Sequence, residues 1–127
     1  NLQMEITTQP KILTDRFRGS AGPIPYKDGW LVLVHEVSAL GDGRLYAHRF
    51  LQLDSRFQLH SLTEPFVFFH SGIEYVCGMC LNHQPDQSKD QSKDQSKDRI
   101  IVTVGISDKD AKIVVIDPET LIMKLVE

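Results

Sequence analysis

The 127-residue chain predicts an all-β fold of antiparallel, hairpin-linked strands. Three observations carry that prediction. Short runs of β-branched, aliphatic and aromatic residues recur without helical spacing of polar positions. Glycine- and aspartate-rich turn signals separate them at short intervals. Hydrophobic residues make up 41% and charged residues 24%, which places the chain among ordinary soluble domains with enough apolar material for one core.

Taken in order, Pro23-Ile-Pro-Tyr26 can form an extended edge or strand end, because two prolines remove backbone donors. Lys27-Asp28-Gly29 turns the chain into Trp30-Leu-Val-Leu-Val-His-Glu-Val37, the most hydrophobic strand. Gly41-Asp42-Gly43 is the next turn, followed by a strand from Arg44 to Asp54, a turn at Asp54-Ser55-Arg56, and a strand from Phe57 to Leu62. A second group follows: Phe66 to Phe69, Ile73 to Cys80, Arg99 to Ile106, a Ser107-Asp108-Lys109-Asp110 turn, and Ala111 to Ile116. Pro118-Glu119 opens a helical turn, since proline is tolerated at a first helical position. The pattern therefore predicts two sheets of three or four strands, and it fits a sandwich, a barrel or propeller blades equally.

Composition narrows the partners. With 14 basic and 17 acidic residues the formal charge is -3, so no broad cationic surface offsets a phosphate backbone and nucleic acid is not expected. The longest uninterrupted apolar run, Trp30 to Val34, is strand-sized, so no helical membrane span is expected. The start, Asn1-Leu-Gln-Met4, lacks a signal-peptide pattern and points to a chain that begins within a longer protein or after processing. Two cysteines are too few for a disulfide framework, which favours a reduced, cytoplasmic setting. Asp86 followed by three QSKD repeats through Asp98 is polar and charge-balanced, and is expected as a mobile insertion spanning residues 84–98. It lacks the spaced carboxylates and glycine of a calcium loop.

Four stretches together resemble a known family: RGSAGPIPYKDGWLVLVHEV at 18–37, LYAHRFLQLD at 45–54, EPFVFFHSGIEYVCG at 64–78, and DRIIVTVGISDKDAKIVVID at 98–117. In that order they look like the C-terminal part of the five-bladed β-propeller domain associated with bacterial glycosyltransferases, itself similar to the propellers of glycoside hydrolase family 130, the mannoside phosphorylases and hydrolases. The resemblance implies an organisation of residues 1–17 as a lead-in, 18–63 as one blade, 64–117 as a second, and 118–127 as a terminal helical turn. Such a propeller needs about twice this length, so the chain would hold roughly two blades of a partial propeller, with exposed edges and limited stability on its own.

The resemblance implies a sugar or sugar-phosphate ligand held by polar residues at inner strand ends, with no cofactor. Arg18, in the RGS motif, resembles a substrate-facing arginine whose fork can hold a phosphate, a carboxylate or paired hydroxyls; a surface arginine before a turn is the plainer reading. His35 resembles a histidine that bonds a sugar hydroxyl or phosphate oxygen, and the alternative is a histidine buried and bonded within the sheet. Strand alternation allows only one of His35 and Glu36 to face such a channel.

Glu74 follows a glycine turn and precedes apolar residues, where a carboxylate is costly to bury without partners, making it the first candidate for a functional acid. Asp108 is a weaker catalytic candidate, since a turn aspartate commonly caps its own backbone. Alternation places Tyr46 and His48 on one strand face and Arg49 on the other; Tyr46 or Trp30 could stack on a sugar ring, although strand aromatics are more often core. Cys77 and Cys80 would point to opposite faces of a regular strand, and no further ligand pair completes a zinc site, so buried, inert cysteines and no metal are expected.

Three functions remain in play at this level: a carbohydrate-binding or carbohydrate-processing module within a larger glycosyltransferase-associated protein, a glycoside phosphorylase or hydrolase acting on β-mannosides, and a non-catalytic propeller used for protein contacts. Missing blades or another chain would then be partners.

Overall fold

A computed structural model describes residue 12, residues 14–84 and residues 97–126. Eight strands form: β1 Arg18–Tyr26, β2 Gly29–Leu40, β3 Gly43–Leu53, β4 Leu59–Leu62, β5 Glu74–Gln84, β6 Lys97–Ile106, β7 Asp110–Ile116 and β8 Lys124–Leu125. They make two antiparallel sheets, one of five strands in the order β1-β2-β3-β4-β8 and one of three in the order β5-β6-β7. No α-helix occurs among the described residues, and neither sheet closes on itself.

The long hairpins form where the turn chemistry allows. Leu40 pairs with Gly43 across Gly41, whose φ of 58° is open to glycine without steric penalty. Tyr26 pairs with Gly29 across Lys27-Asp28. Glycine is required at 29 because a Cβ there would lie 2.0 Å from the Leu53 carbonyl oxygen, so only a residue without a side chain lets β2 approach the end of β3. Between β6 and β7, Ser107 and Asp108 both have positive φ and Lys109 N donates to Ile106 O at 3.0 Å, the mirror-image turn whose twist matches its strands.

Alternation along these strands builds one core between the sheets. Ile24 and Tyr26 of β1, Leu31 and Leu33 of β2 and Phe50 of β3 pack with Val76 of β5 and Ile100, Val102, Val104 and Ile106 of β6. These apolar side chains supply the main stabilisation, of the order of 1.5–3 kcal/mol for each fully buried one. Gly22 sits where β1 lies beside the Met79 side chain of β5, at an irregularity in the β1–β2 register.

Three expectations about elements are corrected. Phe66 to Phe69 is not a strand of the second sheet: after β4 the chain continues along β3, with Thr63 N donating to Phe50 O, Phe66 bridged to His48, and Tyr46 N donating to Gly72 O. The terminal helical turn is confined to a 3-10 turn at Pro118–Thr120, capped by Asp117 Oδ1, which accepts from Glu119 N at 3.0 Å. Beyond it, apolar residues pull the chain back to the first sheet, where β8 pairs with β4, so residues 118–127 are not a helical appendage. Gln84 and Lys97 belong to the β5–β6 ladder, closed by the His83–Asp98 pair at 2.5 Å, so the insertion is shorter than 84–98; residues 85–96 lie outside the described residues, as does most of the 1–17 lead-in.

Gly29→Ala should destabilise the chain by about 2–3 kcal/mol, because the obstructing atoms are backbone. Equilibrium denaturation should show the midpoint fall with little change in slope, while Gly19→Ala, which meets nothing within 4 Å, should cost much less.

Candidate functional site

At one end of the core face, where β2 and β3 run toward their hairpin, apolar side chains give way to a polar and aromatic row. Arg18 of β1 lies opposite His35 of β2, and His35 lies opposite His48 of β3. Opposed residues of antiparallel strands share a face, so this row continues the side on which Leu33 and Phe50 are buried. Tyr46, two residues before His48, stacks on His35 with ring centroids 5.3 Å apart, and Tyr75 meets the same imidazole edge-on at 6.2 Å. Ser20 Oγ lies 2.6 Å from His35 Nδ1.

Glu74 and His48 are the deepest members, both at 0% exposure. The Glu74 carboxylate is engaged on every side. Oε1 accepts from Phe68 N at 2.8 Å and from His48 Nε2 at 3.2 Å, and Oε2 accepts from Phe69 N at 2.8 Å and His70 N at 3.3 Å. One side chain at the start of β5 thus holds the 66–72 connection by three backbone donors and ties it to β3 through His48. Phe66 and Phe68 flank the His48 ring, at 5.8 and 4.8 Å. With Nε2–H donated to Glu74, His48 Nδ1 is a buried acceptor with no bonded partner among the described residues.

Burial holds both imidazoles below the ordinary value of 6.5. For His35 desolvation is the main cause, reinforced by the nearby Arg18 charge. For His48 desolvation outweighs the opposing pull of Glu74, which favours the charged ring through its charge and its hydrogen bond; His35 adds to the lowering.

The candidates named from sequence are placed as follows. Arg18, His35, Tyr46 and Glu74 are linked through cross-strand, stacking and hydrogen-bond contacts, with His48 as the connecting residue. Arg18 is exposed, Tyr46 half-buried, and His35 and Glu74 buried. Asp108 is exposed in the β6–β7 turn; that turn reaches the start of β5 through Ser107 N donating to Ile73 O at 2.9 Å, but Asp108 makes no hydrogen bond or ion pair with the row among the described residues. Glu36 and Arg49 lie on the opposite face, 3.8 Å apart, with Arg49 Nη1 donating to Thr63 O. Trp30 stacks on Phe57 at 5.5 Å, away from the row.

The cysteines are a correction. A register slip between Val76 and Gly78 makes Cys77 the extra residue of a bulge. Val76 and Met79, three apart, consequently both face the core, and Cys77 and Cys80 both face away, exposed and free instead of buried on opposite sides.

Sequence reasoning missed Ser20 and Tyr75 and gave His48 no role beyond its face. Alternation already set His48 beside Tyr46, but its bond to Glu74, 26 residues away, has no local signal.

Chemically, the row offers an exposed guanidinium, two tyrosine rings and an imidazole edge around a carboxylate whose oxygens are committed to the backbone. That combination suits recognition of a hydroxyl-rich or anionic ligand. Within it both Glu74 oxygens are already taken up, by the amides of residues 68–70 and by His48.

Glu74→Gln should destabilise the fold by about 2–4 kcal/mol, since an amide cannot accept from donors on both oxygens. Hydrogen exchange at Phe68, Phe69 and His70 should accelerate more than at Val102 or Val104. The histidines set a pH dependence with a defined sign. Their folded pKa values lie below the unfolded value, so their contribution is complete above about pH 6.5 and declines as pH falls from there toward the lowered values, with a limiting slope of about 1.4 kcal/mol per pH unit for each proton. Denaturation midpoints measured from pH 8 to 5 should fall in wild type and fall less in His35→Gln.

Compared with known proteins, the chain matches no family model, no curated protein and no solved structure.

Proposed function

We propose that the chain is a non-catalytic carbohydrate-recognition module, its two sheets being consecutive blades of a larger propeller in a glycan-assembling or glycan-processing protein. The observation that carries the reading is the linked row of Arg18, His35, Tyr46 and Tyr75 at one end of the sheets. Tyrosine faces offer stacking area for a sugar ring, and the Arg18 fork offers paired donors for vicinal hydroxyls or a phosphate. Glu74 and His48 act beneath them as positioning residues, fixing β3 and the 66–72 connection. The resemblance of residues 18–117 to the propellers of glycosyltransferase-associated proteins supplies the ligand class.

A phosphorylase or hydrolase acting on β-mannosides is less well supported. Such chemistry needs a carboxyl able to reach the glycosidic oxygen, and Glu74 is spent on backbone donors while Asp108 stands apart from the row.

Titration of isotope-labelled protein with mannose, mannose 1-phosphate and short β-mannosides should shift the resonances of Arg18, His35, Tyr46 and Tyr75. Arg18→Ala and Tyr75→Ala should each weaken binding about tenfold, the equivalent of roughly 1.4 kcal/mol. Absence of shifts with all three ligands, or shifts centred on the Trp30–Phe57 face, would sink the proposal.

A further inference from the structure

We propose that Ser20 is the specificity-determining residue of the row: it holds His35 as a hydrogen-bond donor at Nε2, so that Arg18 and His35 together take an anionic oxygen group of the ligand. This inference rests on the sugar-recognition reading above and decides between the two kinds of group, neutral hydroxyls or an anion, that the Arg18 fork can hold.

A backbone irregularity puts Ser20 in place. β1 and β2 pair Gly19 with Val34 and then Ala21 with Leu33, which makes Ser20 the extra residue of a bulge. In unbroken register Ser20 would stand opposite Leu33. The bulge gives that place to Ala21, which packs against the apolar core, and leaves Ser20 with its hydroxyl 2.6 Å from His35 Nδ1. Arg18, paired with His35 just before the bulge, approaches the same imidazole from the same strand.

The separation assigns the proton. Burial beside the Arg18 charge keeps His35 neutral at pH 7, and a neutral imidazole carries one N–H. N–H donors reach oxygen at about 2.7 to 3.2 Å, whereas O–H donors work down to about 2.5 Å, so the 2.6 Å contact is Ser20 O–H donating to Nδ1. With Nδ1 as the acceptor, the ring hydrogen sits on Nε2. Nε2 has no hydrogen-bond partner among the described residues, and the ring is otherwise bounded by Tyr46 and Tyr75.

Charge around this ring is one-sided. Arg18 is exposed and forms no ion pair among the described residues. Glu74 spends both oxygens on His48 and the amides of residues 68–70, and Glu36 lies on the opposite face beside Arg49. A guanidinium has five donors and no acceptor, and His35 Nε2–H adds another donor. Phosphate or carboxylate oxygens meet such donors with charge-assisted bonds roughly twice as strong as those to a neutral hydroxyl.

The tautomer can be read without any ligand. At pH 8, long-range proton–nitrogen correlation spectra of the labelled chain should show His35 as the Nε2–H form. An Nδ1–H population should appear in Ser20→Ala, and Ser20→Thr, which keeps the hydroxyl, should restore the wild-type pattern. At the same pH, mannose 1-phosphate and mannuronate should bind about tenfold more tightly than mannose, and a preference confined to one of them names phosphate or carboxylate as the group. Ser20→Ala should weaken anion binding about threefold, by the share of His35 lost to the other tautomer, and leave mannose binding unchanged, with Ser20→Thr close to wild type. An Nδ1–H wild type, mannose bound as tightly as both anions, or a Ser20→Ala variant that binds them like wild type overturns this inference and leaves the sugar-recognition reading standing. Inorganic phosphate bound as tightly as mannose 1-phosphate, with no shifts from mannose or the β-mannosides, supports the anion site and overturns the sugar reading instead.

Discussion

A carboxylate withdrawn from water must find donors, and in this chain that requirement organises the junction between the two sheets. Glu74 begins β5 at full burial, and four hydrogen bonds surround its oxygens. Three of the donors are consecutive backbone amides at Phe68, Phe69 and His70, so the connection from β4 to β5 is held in a shape that no ladder would impose. The same amides are thereby denied to a sheet, which is the physical reason that an aromatic-rich run with strong strand propensity stays irregular. The fourth donor, His48 Nε2, ties the connection to the centre of the first sheet.

From this anchor the polar row extends outward along the strand register. His48, His35 and Arg18 are cross-strand neighbours, so their burial grades from complete through slight exposure to open solvent across three strands. The inner two are held neutral by desolvation, and Arg18 carries the charge at the rim. Tyr46 and Tyr75 fill the space around His35. The row thus runs from a carboxylate whose two oxygens both accept hydrogen bonds to an exposed guanidinium at its rim.

Outside the row, single-residue irregularities decide which side chains meet solvent. The bulge at Cys77 turns both cysteines outward, and the missing side chain at Gly29 lets β2 approach the backbone at the end of β3. β7 shows the converse: a strand with no irregularity and, among the described residues, no paired strand on one side leaves Ile113 and Val115 exposed.

By itself the sequence determined the class of the fold, the hairpin turns and the assignment of faces along the regular strands β2 and β3. Alternation and turn chemistry are local properties, so Lys27-Asp28-Gly29, Gly41-Asp42-Gly43 and Ser107-Asp108 were legible as turns, and Tyr46 with His48 were legible as sharing a face opposite Arg49. Arg18, His35, Tyr46 and Glu74 could be singled out as polar or aromatic residues in apolar surroundings, yet nothing local related them to one another. Tertiary structure decided that Glu74 is bonded to His48 and to the amides of residues 68–70, that the tail returns to pair with β4, and that a bulge carries Cys77 and Cys80 to one side. Each of these depends on which distant backbone groups are left unpaired once the strands have formed, a quantity set by the assembled sheets and not by any window of residues.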